Sequence, residues 1–162
     1  MKIGVISDTH ITNKATDLPK EIYSAFKNVD LILHAGDFID ISVINKLKNI
    51  CKDVRGVYGN MDSGEIKNTL PEKQVIQIGK FKIGLIHGWG NPAKLIEDLP
   101  AKFKEDKLDA IVFGHAHYPV NEKYNGILFF NPGSLTDKIF ASFNSYGIIE
   151  INDSIKAEII KL

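Results

Sequence analysis

Asp8-Thr9-His10 sets a carboxylate and an imidazole two residues apart, a spacing at which both can face one ion from a tight loop. His115-Ala116-His117 does the same with two imidazoles. Asp37, after Gly36, brings two oxygens able to bridge a pair of cations. Asn60, after Gly59, brings a neutral carbonyl oxygen, and His87 completes a mixed nitrogen and oxygen set. Taken singly, each has a structural reading: a histidine after a strand is a hydrogen-bonded structural group, and Gly-Asp or Gly-Asn is a turn. The combination changes the odds. Four of the five histidines fall in these motifs, and gathering so many carboxylates and imidazoles is costly unless cations are present.

The elements that must position these side chains are five short apolar runs, each ending in a residue of metal-ligand type: Ile3–Asp8, Leu31–Asp37, Val54–Asn60, Ile83–His87 and Ala110–His115. Such runs suit strands buried on both faces. Helical spacing appears between them, at Ile22, Tyr23 and Phe26 within Pro19–Lys27 and at Ile41, Ile44, Leu47 and Lys48. Pro92 after Asn91 opens a third helix with Leu95, Ile96 and Leu99 on one face, interrupted by Pro100. This alternation predicts a parallel sheet in the first half. Gly79-Lys80, Asn125-Gly126 and Asn152-Asp153 each separate two β-type runs and predict two-residue hairpins. The expected fold is α/β: two mixed β-sheets packed as a sandwich flanked by helices, in one domain over residues 1–162. The carboxyl ends of the strands would collect the site.

Composition narrows the function. With 162 residues and 20 basic residues against 20 acidic ones, the chain has no uniform field to hold nucleic acid or an anionic membrane. Ile3–Ile6 is too short for a signal peptide or a span, which predicts a cytoplasmic protein without membrane attachment. Cys51 is the only cysteine, so neither an internal disulfide nor a thiolate cage is available, and it reads as a small apolar residue.

Asp8-x-His10, Gly36-Asp37, Gly59-Asn60, His87 and Gly114-His115-x-His117 resemble, in order and spacing, the motifs of the calcineurin-like metallophosphoesterase superfamily. Asn131-Pro132-Gly133-Ser134 and the small size are similar to its compact bacterial and archaeal phosphodiesterase branch. The resemblance implies an αββα sandwich with one metal held by Asp8, His10, Asp37 and His117 and a second by Asp37, Asn60, His87 and His115, with Asp37 the bridge. Two divalent ions are expected, manganese first, with nickel, iron, cobalt or zinc as alternatives. A hydroxide bridging them would attack a small phosphodiester, with Asn60, Asp62 and His87 as the catalytic candidates.

Many members carry Gly-Asn-His at the third motif, whereas this chain reads Gly59-Asn60-Met61-Asp62. Met61 cannot transfer a proton. Asp62 could substitute, orient a histidine or cap a turn. Esters with acidic leaving groups are therefore the expected substrates, a cyclic nucleotide among the candidates and extended nucleic acid not.

Three further residues stand near these motifs. His34 lies three residues before Asp37 and reads as structural by strand alternation. Trp89, between Gly88 and Gly90, could stack on a base or aromatic leaving group or could pack at the rim. Tyr118 and Asn131 could support the site and read first as structural, while Phe129, Phe130, Ile139, Phe140 and Phe143 could serve the core or a homodimer interface. The alternative from another class is a non-catalytic scaffold of the same fold, since the resemblance extends to the retromer scaffold subunit; a nuclease or phosphomonoesterase shares the chemistry.

Overall fold

The computed structural model describes residues 1–162. Two five-stranded sheets form it. The first contains β1 (Lys2–Ile6), β2 (Leu31–His34), β3 (Val54–Gly56), β9 (Ser145–Ile151) and β10 (Ile155–Lys161), in the order β10-β9-β1-β2-β3. The second contains β4 (Lys73–Ile78), β5 (Phe81–Ile86), β6 (Ala110–Val112), β7 (Pro119–Tyr124) and β8 (Ile127–Pro132), in the order β4-β5-β6-β8-β7. Both are mixed. β1-β2-β3 and β5-β6-β8 run parallel, and antiparallel strands complete each sheet.

Side chains alternate across each strand, which divides the apolar runs among three layers of core. Ile3, Val5, Leu31 and Leu33 face Ile83, Leu85, Ala110 and Val112 between the sheets. On the outer side of the first sheet, Ile6 and Ile32 pack against α1 (Lys20–Ala25) through Ile22 and against α2 (Ser42–Lys48) through Val43, Ile44 and Leu47. Beyond the second sheet, Ile86, Ile111 and Phe129 meet Leu95, Leu99 and Phe103. Helices therefore flank the sandwich, as the sequence predicts. No helix is long and apolar enough to cross a membrane.

Local details depart from expectation. The third helix is broken into a 3₁₀ turn at Pro92–Lys94, a single α turn (α4, Leu95–Asp98) and a second 3₁₀ stretch at Leu99–Phe103. Pro100, lacking an N–H, tightens the path without ending it. A helix the sequence reading missed, α3 (Gly64–Thr69), starts at Ser63, whose Oγ accepts from Ile66 N. The Gly79-Lys80 and Asn125-Gly126 hairpins form with two-residue loops, whereas Ile151 pairs with Ile155, so Ser154 joins Asn152 and Asp153 in the last turn.

Candidate metal centre

The parallel ladders continue past their strand ends, and this places the motifs side by side. Asp8 N donates to Gly36 O (3.0 Å) and His10 N to Asp37 O (3.1 Å), followed by a bridge between Ile11 and Ile39. On the other sheet Gly114 N donates to His87 O (3.0 Å), aligning the third and fourth imidazoles. Five of the seven candidate side chains, those of Asp8, His10, Asp37, His115 and His117, hang from backbone with φ between 43° and 66°. That left-handed conformation costs roughly 1–2 kcal/mol for a residue with a Cβ and clusters at functional sites.

The glycines of the motifs keep this packing possible. A Cβ at Gly59 would overlap the Asp37 carboxylate, and one at Gly114 would overlap Ser7 Oγ and approach Asp8 Oδ2 to 3.0 Å. Each glycine therefore makes room for a ligand candidate from another loop.

All seven candidates come together. Asp8 is fully buried, with Oδ2 accepting from Ser7 Oγ (2.5 Å) and His115 N (3.1 Å), while Oδ1 has no hydrogen-bond donor. Instead Oδ1 faces His117 Nε2 at 3.3 Å and His10 Nε2 at 3.8 Å. Asp37 Oδ2 lies between His87 Nε2 (3.4 Å) and His10 Nε2 (3.7 Å), and Asn60 Oδ1 is 3.0 Å from both His87 Nε2 and His115 Nδ1. Two groups of donor atoms close enough to share an ion result: Asp8 with His10 and His117, and Asp8 with Asp37 and His87.

Three imidazoles are oriented by acceptors on their far nitrogens. A carbonyl can only accept, so His87 Nδ1–H donates to Ala35 O (2.7 Å) and His115 Nε2–H to Gly90 O (2.9 Å). His117 Nδ1–H donates to the Asp137 carboxylate. Each leaves its other nitrogen as a lone pair directed into the cluster, the arrangement of a metal-ligating histidine.

The electrostatics agree. Burial alone would raise the Asp8 carboxyl, but His10 and His117 carry it far below the usual carboxylate range. Burial likewise opposes ionisation of Asp37, and the hydrogen bond and charge of His87 together with the Met61 N–H outweigh it. His87 is lifted above its ordinary value despite burial, chiefly by Asp37, and His117 rises to about 9, chiefly through Asp8 with help from Asp137. These shifts and the inward lone pairs are reconciled by competition: without cations, protons occupy the same nitrogens, and metal binding would release them. An orphaned buried carboxylate oxygen amid inward-facing nitrogens and a neutral amide oxygen fits divalent cations.

Asp62 takes the turn-capping course among those the sequence left open. It is buried, and its carboxylate accepts from Gly59 N (2.7 Å), Ile39 N (2.8 Å) and Asp37 N (3.0 Å), fastening the second and third motif loops together. Burial raises its pKa against the pull of those N–H groups.

His34 is buried and structural. Its Nδ1 accepts from Gly36 N (3.1 Å), which leaves Nε2–H for Thr9 Oγ1 (3.2 Å), and its ring stacks on Phe38. Asn131 donates to Gly114 O (2.8 Å), and Ser134 Oγ donates to Asp8 O (2.7 Å), so the Asn-Pro-Gly-Ser segment braces loops from both sheets. Tyr118 stays exposed, its hydroxyl on Pro92 O (3.2 Å).

The sequence reading missed Asp137. Its backbone N–H donates to Ser134 Oγ (3.0 Å), so the Ser134-x-x-Asp137 spacing, a capping-box pattern, was the available signal.

Residues 1–154 match the calcineurin-like phosphoesterase superfamily domain. The chain belongs to that superfamily. Its relatives include a probable metallophosphoesterase of Methanocaldococcus jannaschii, 38% identical over 100% of this chain and 82% of the relative. A phosphodiesterase of the same organism is 28% identical over 82% of this chain and 83% of its own length. Among solved superfamily-like structures, Vps29 of Entamoeba histolytica complexed with Zn²⁺ is 25% identical, with a TM-score of 0.76 over 99% of both chains. The two candidate Asp/His groups are consistent with a dinuclear metallophosphoesterase centre.

Proposed function

We propose that the chain is a divalent-metal-dependent phosphodiesterase acting on small phosphodiesters. The observation that carries this reading is the convergence of inward lone pairs on His87, His115 and His117 with the orphaned Asp8 Oδ1. Asp8, His10, Asp37 and His117 would hold one ion, and Asp37, Asn60, His87 and His115 the other. Two bound ions supply Lewis-acid charge neutralisation and make water nucleophilic at neutral pH.

The chain's own residues set the rest. Asn60 turns Oδ1 toward His87 and His115, which leaves its amide NH₂ free to donate to a phosphate oxygen. Asp62 has both carboxylate oxygens engaged by backbone N–H groups and serves as a clamp, not as a proton donor. Met61, exposed beside Asn60, has no proton to give. Water adds to phosphorus as the bond to one ester oxygen breaks, and that oxygen departs without an acid from the third motif. Diesters with acidic alcohols should therefore turn over best.

The test is hydrolysis of a chromogenic phosphodiester and its matching monoester by metal-stripped protein, with divalent metals added back one at a time and Asp37→Ala alongside. Metal-dependent diester cleavage, lost in the variant, is expected. Rapid hydrolysis of sugar monophosphates with little diester cleavage would overturn the substrate class. A second reading, a metal-binding interaction module, draws support from the likeness to Vps29 and from Met61 at the third motif; full metal occupancy with no hydrolysis would favour it.

A further inference from the structure

The four most exposed large apolar side chains of the molecule are Ile139 (82%), Phe140 (78%), Trp89 (74%) and Met61 (58%). Scattered exposed apolar groups need no explanation, but these are not scattered. All four line one of two cavities at the metal centre. A cavity of about 600 Å³ holds Trp89 with Asn60 and His87, and one of about 850 Å³ holds Met61, Ile139 and Phe140 with His10, Asp37, His115 and His117. Asn60 is the single residue that lines both. Each cavity lies in the size range of small-molecule sites.

Each aromatic ring is also tied to a different candidate ligand. The Trp89 indole lies nearly parallel to the His115 imidazole (15°, centroids 6.5 Å apart), and the adjoining Gly90 O accepts the His115 proton at 2.9 Å. Phe140 packs edge-on to His117 (72°, 6.0 Å), and its backbone N–H donates to the Asp137 carboxylate that also receives the His117 proton. The loops that present the rings are thus the loops that orient the imidazoles, which fixes two aromatic surfaces relative to the place where phosphorus must sit.

Resting on the phosphodiesterase reading above, we infer that the centre is the junction of two arm sites, one on Trp89 and one on Phe140, and that its substrate is a linear phosphodiester with a planar aromatic group on each arm. A dinucleoside monophosphate has that form. A monoester has a single arm, and a 3′,5′-cyclic nucleotide closes both ester bonds on one sugar and presents one base, so each would fill only one site.

Trp89 is the chain's only tryptophan and reports on its own site. In metal-loaded protein, diphenyl phosphate should change its emission, while dimethyl phosphate at the same concentration should not. Trp89→Ala and Phe140→Ala should each lower kcat/KM for bis(p-nitrophenyl) phosphate about tenfold, mainly through KM, the magnitude expected of one lost ring stack. Trp89→Phe should recover most of that loss, and metal content should be unchanged in all three variants. On methyl p-nitrophenyl phosphate only one of the alanine variants should show the defect, because in-line displacement fixes which arm carries the leaving group. Wild-type cleavage of both diesters, with both alanine variants within twofold of wild type and identical emission responses to the two ligands, would overturn the arm sites and leave the phosphodiesterase reading standing. Metal-loaded wild type that neither cleaves nor responds to any diester would overturn both.

Discussion

The two sheets contribute different chemistry to one centre. The first supplies the oxygen donors, Asp8, Asp37 and Asn60, from loops after β1, β2 and β3; the second supplies His87, His115 and His117 from loops after β5 and β6. They are held by opposite means. The oxygen half is fastened by backbone N–H groups pointing at carboxylates, with Met61 N on Asp37 Oδ1 (2.8 Å) and three N–H groups on Asp62. The nitrogen half is oriented by imidazole N–H groups pointing out at oxygen acceptors. His10 alone crosses the division, rising from the first sheet to face His117 Nε2 at 3.2 Å. Anions held by N–H groups and imidazoles held by oxygens leave opposed lone pairs across one gap, which only a cation or a proton can fill.

Breaking the oxygen half at its centre should have the largest effect. Asp37→Ala removes the carboxylate nearest both His10 and His87 and should lower metal-dependent diester cleavage by about 10³-fold or more, measured as kcat/KM at saturating metal. Asp62→Ala separates the clamp from the ligands: three N–H groups would lose their acceptor, and urea unfolding of the metal-free protein should show a loss of about 3 kcal/mol. A change under 0.5 kcal/mol would show that the second and third motif loops do not depend on it.

His34 sharpens the contrast through pH. Burial chiefly lowers its pKa to about 3 from the ordinary 6.5, so as pH falls the unfolded chain takes up the proton first. Its contribution to stability is complete above pH 6.5 and is lost as pH drops toward 3, about 2 kcal/mol of it between pH 6.5 and 5. His117, whose pKa is raised to about 9, behaves oppositely in metal-free protein: its contribution is complete below pH 6.5 and is lost as pH rises through 9. Between pH 6.5 and 5 His34 therefore opposes the raised histidines, and denaturant titrations of wild type and His34→Gln there should differ by the fall in stability that His34 causes. The smallest effect belongs to the nitrogen half: Asp137→Asn should weaken metal affinity about tenfold by calorimetry, with the fold's stability nearly unchanged.

Both halves were legible in the sequence because Asp8, Asp37, Asn60, His87 and His115 each end an apolar run, while His10 and His117 stand two residues beyond Asp8 and His115. The two-sheet architecture was legible for a related reason, since the buried runs and the Gly79-Lys80 and Asn125-Gly126 turns are local signals. What escaped depends on distant partners or on length. The course taken by Asp62 is decided by N–H groups of Asp37 and Ile39, more than twenty residues earlier. Asp137 meets His117 only because Ser134 turns the chain back, and six-residue α3 buries just Ile66, too little to establish a period. Trp89 could be read as rim or as ligand surface, and only its exposure beside His115 distinguishes the two.

The proposed pair of cations between the two halves is tested most directly by metal content. Metal-stripped protein should be equilibrated with manganese, desalted and assayed for bound metal per folded chain by mass spectrometry, with Asp37→Ala in parallel. Two ions per wild-type chain and fewer than two in the variant are expected; a folded wild-type chain that retains no manganese, zinc, iron, cobalt or nickel would contradict the claim.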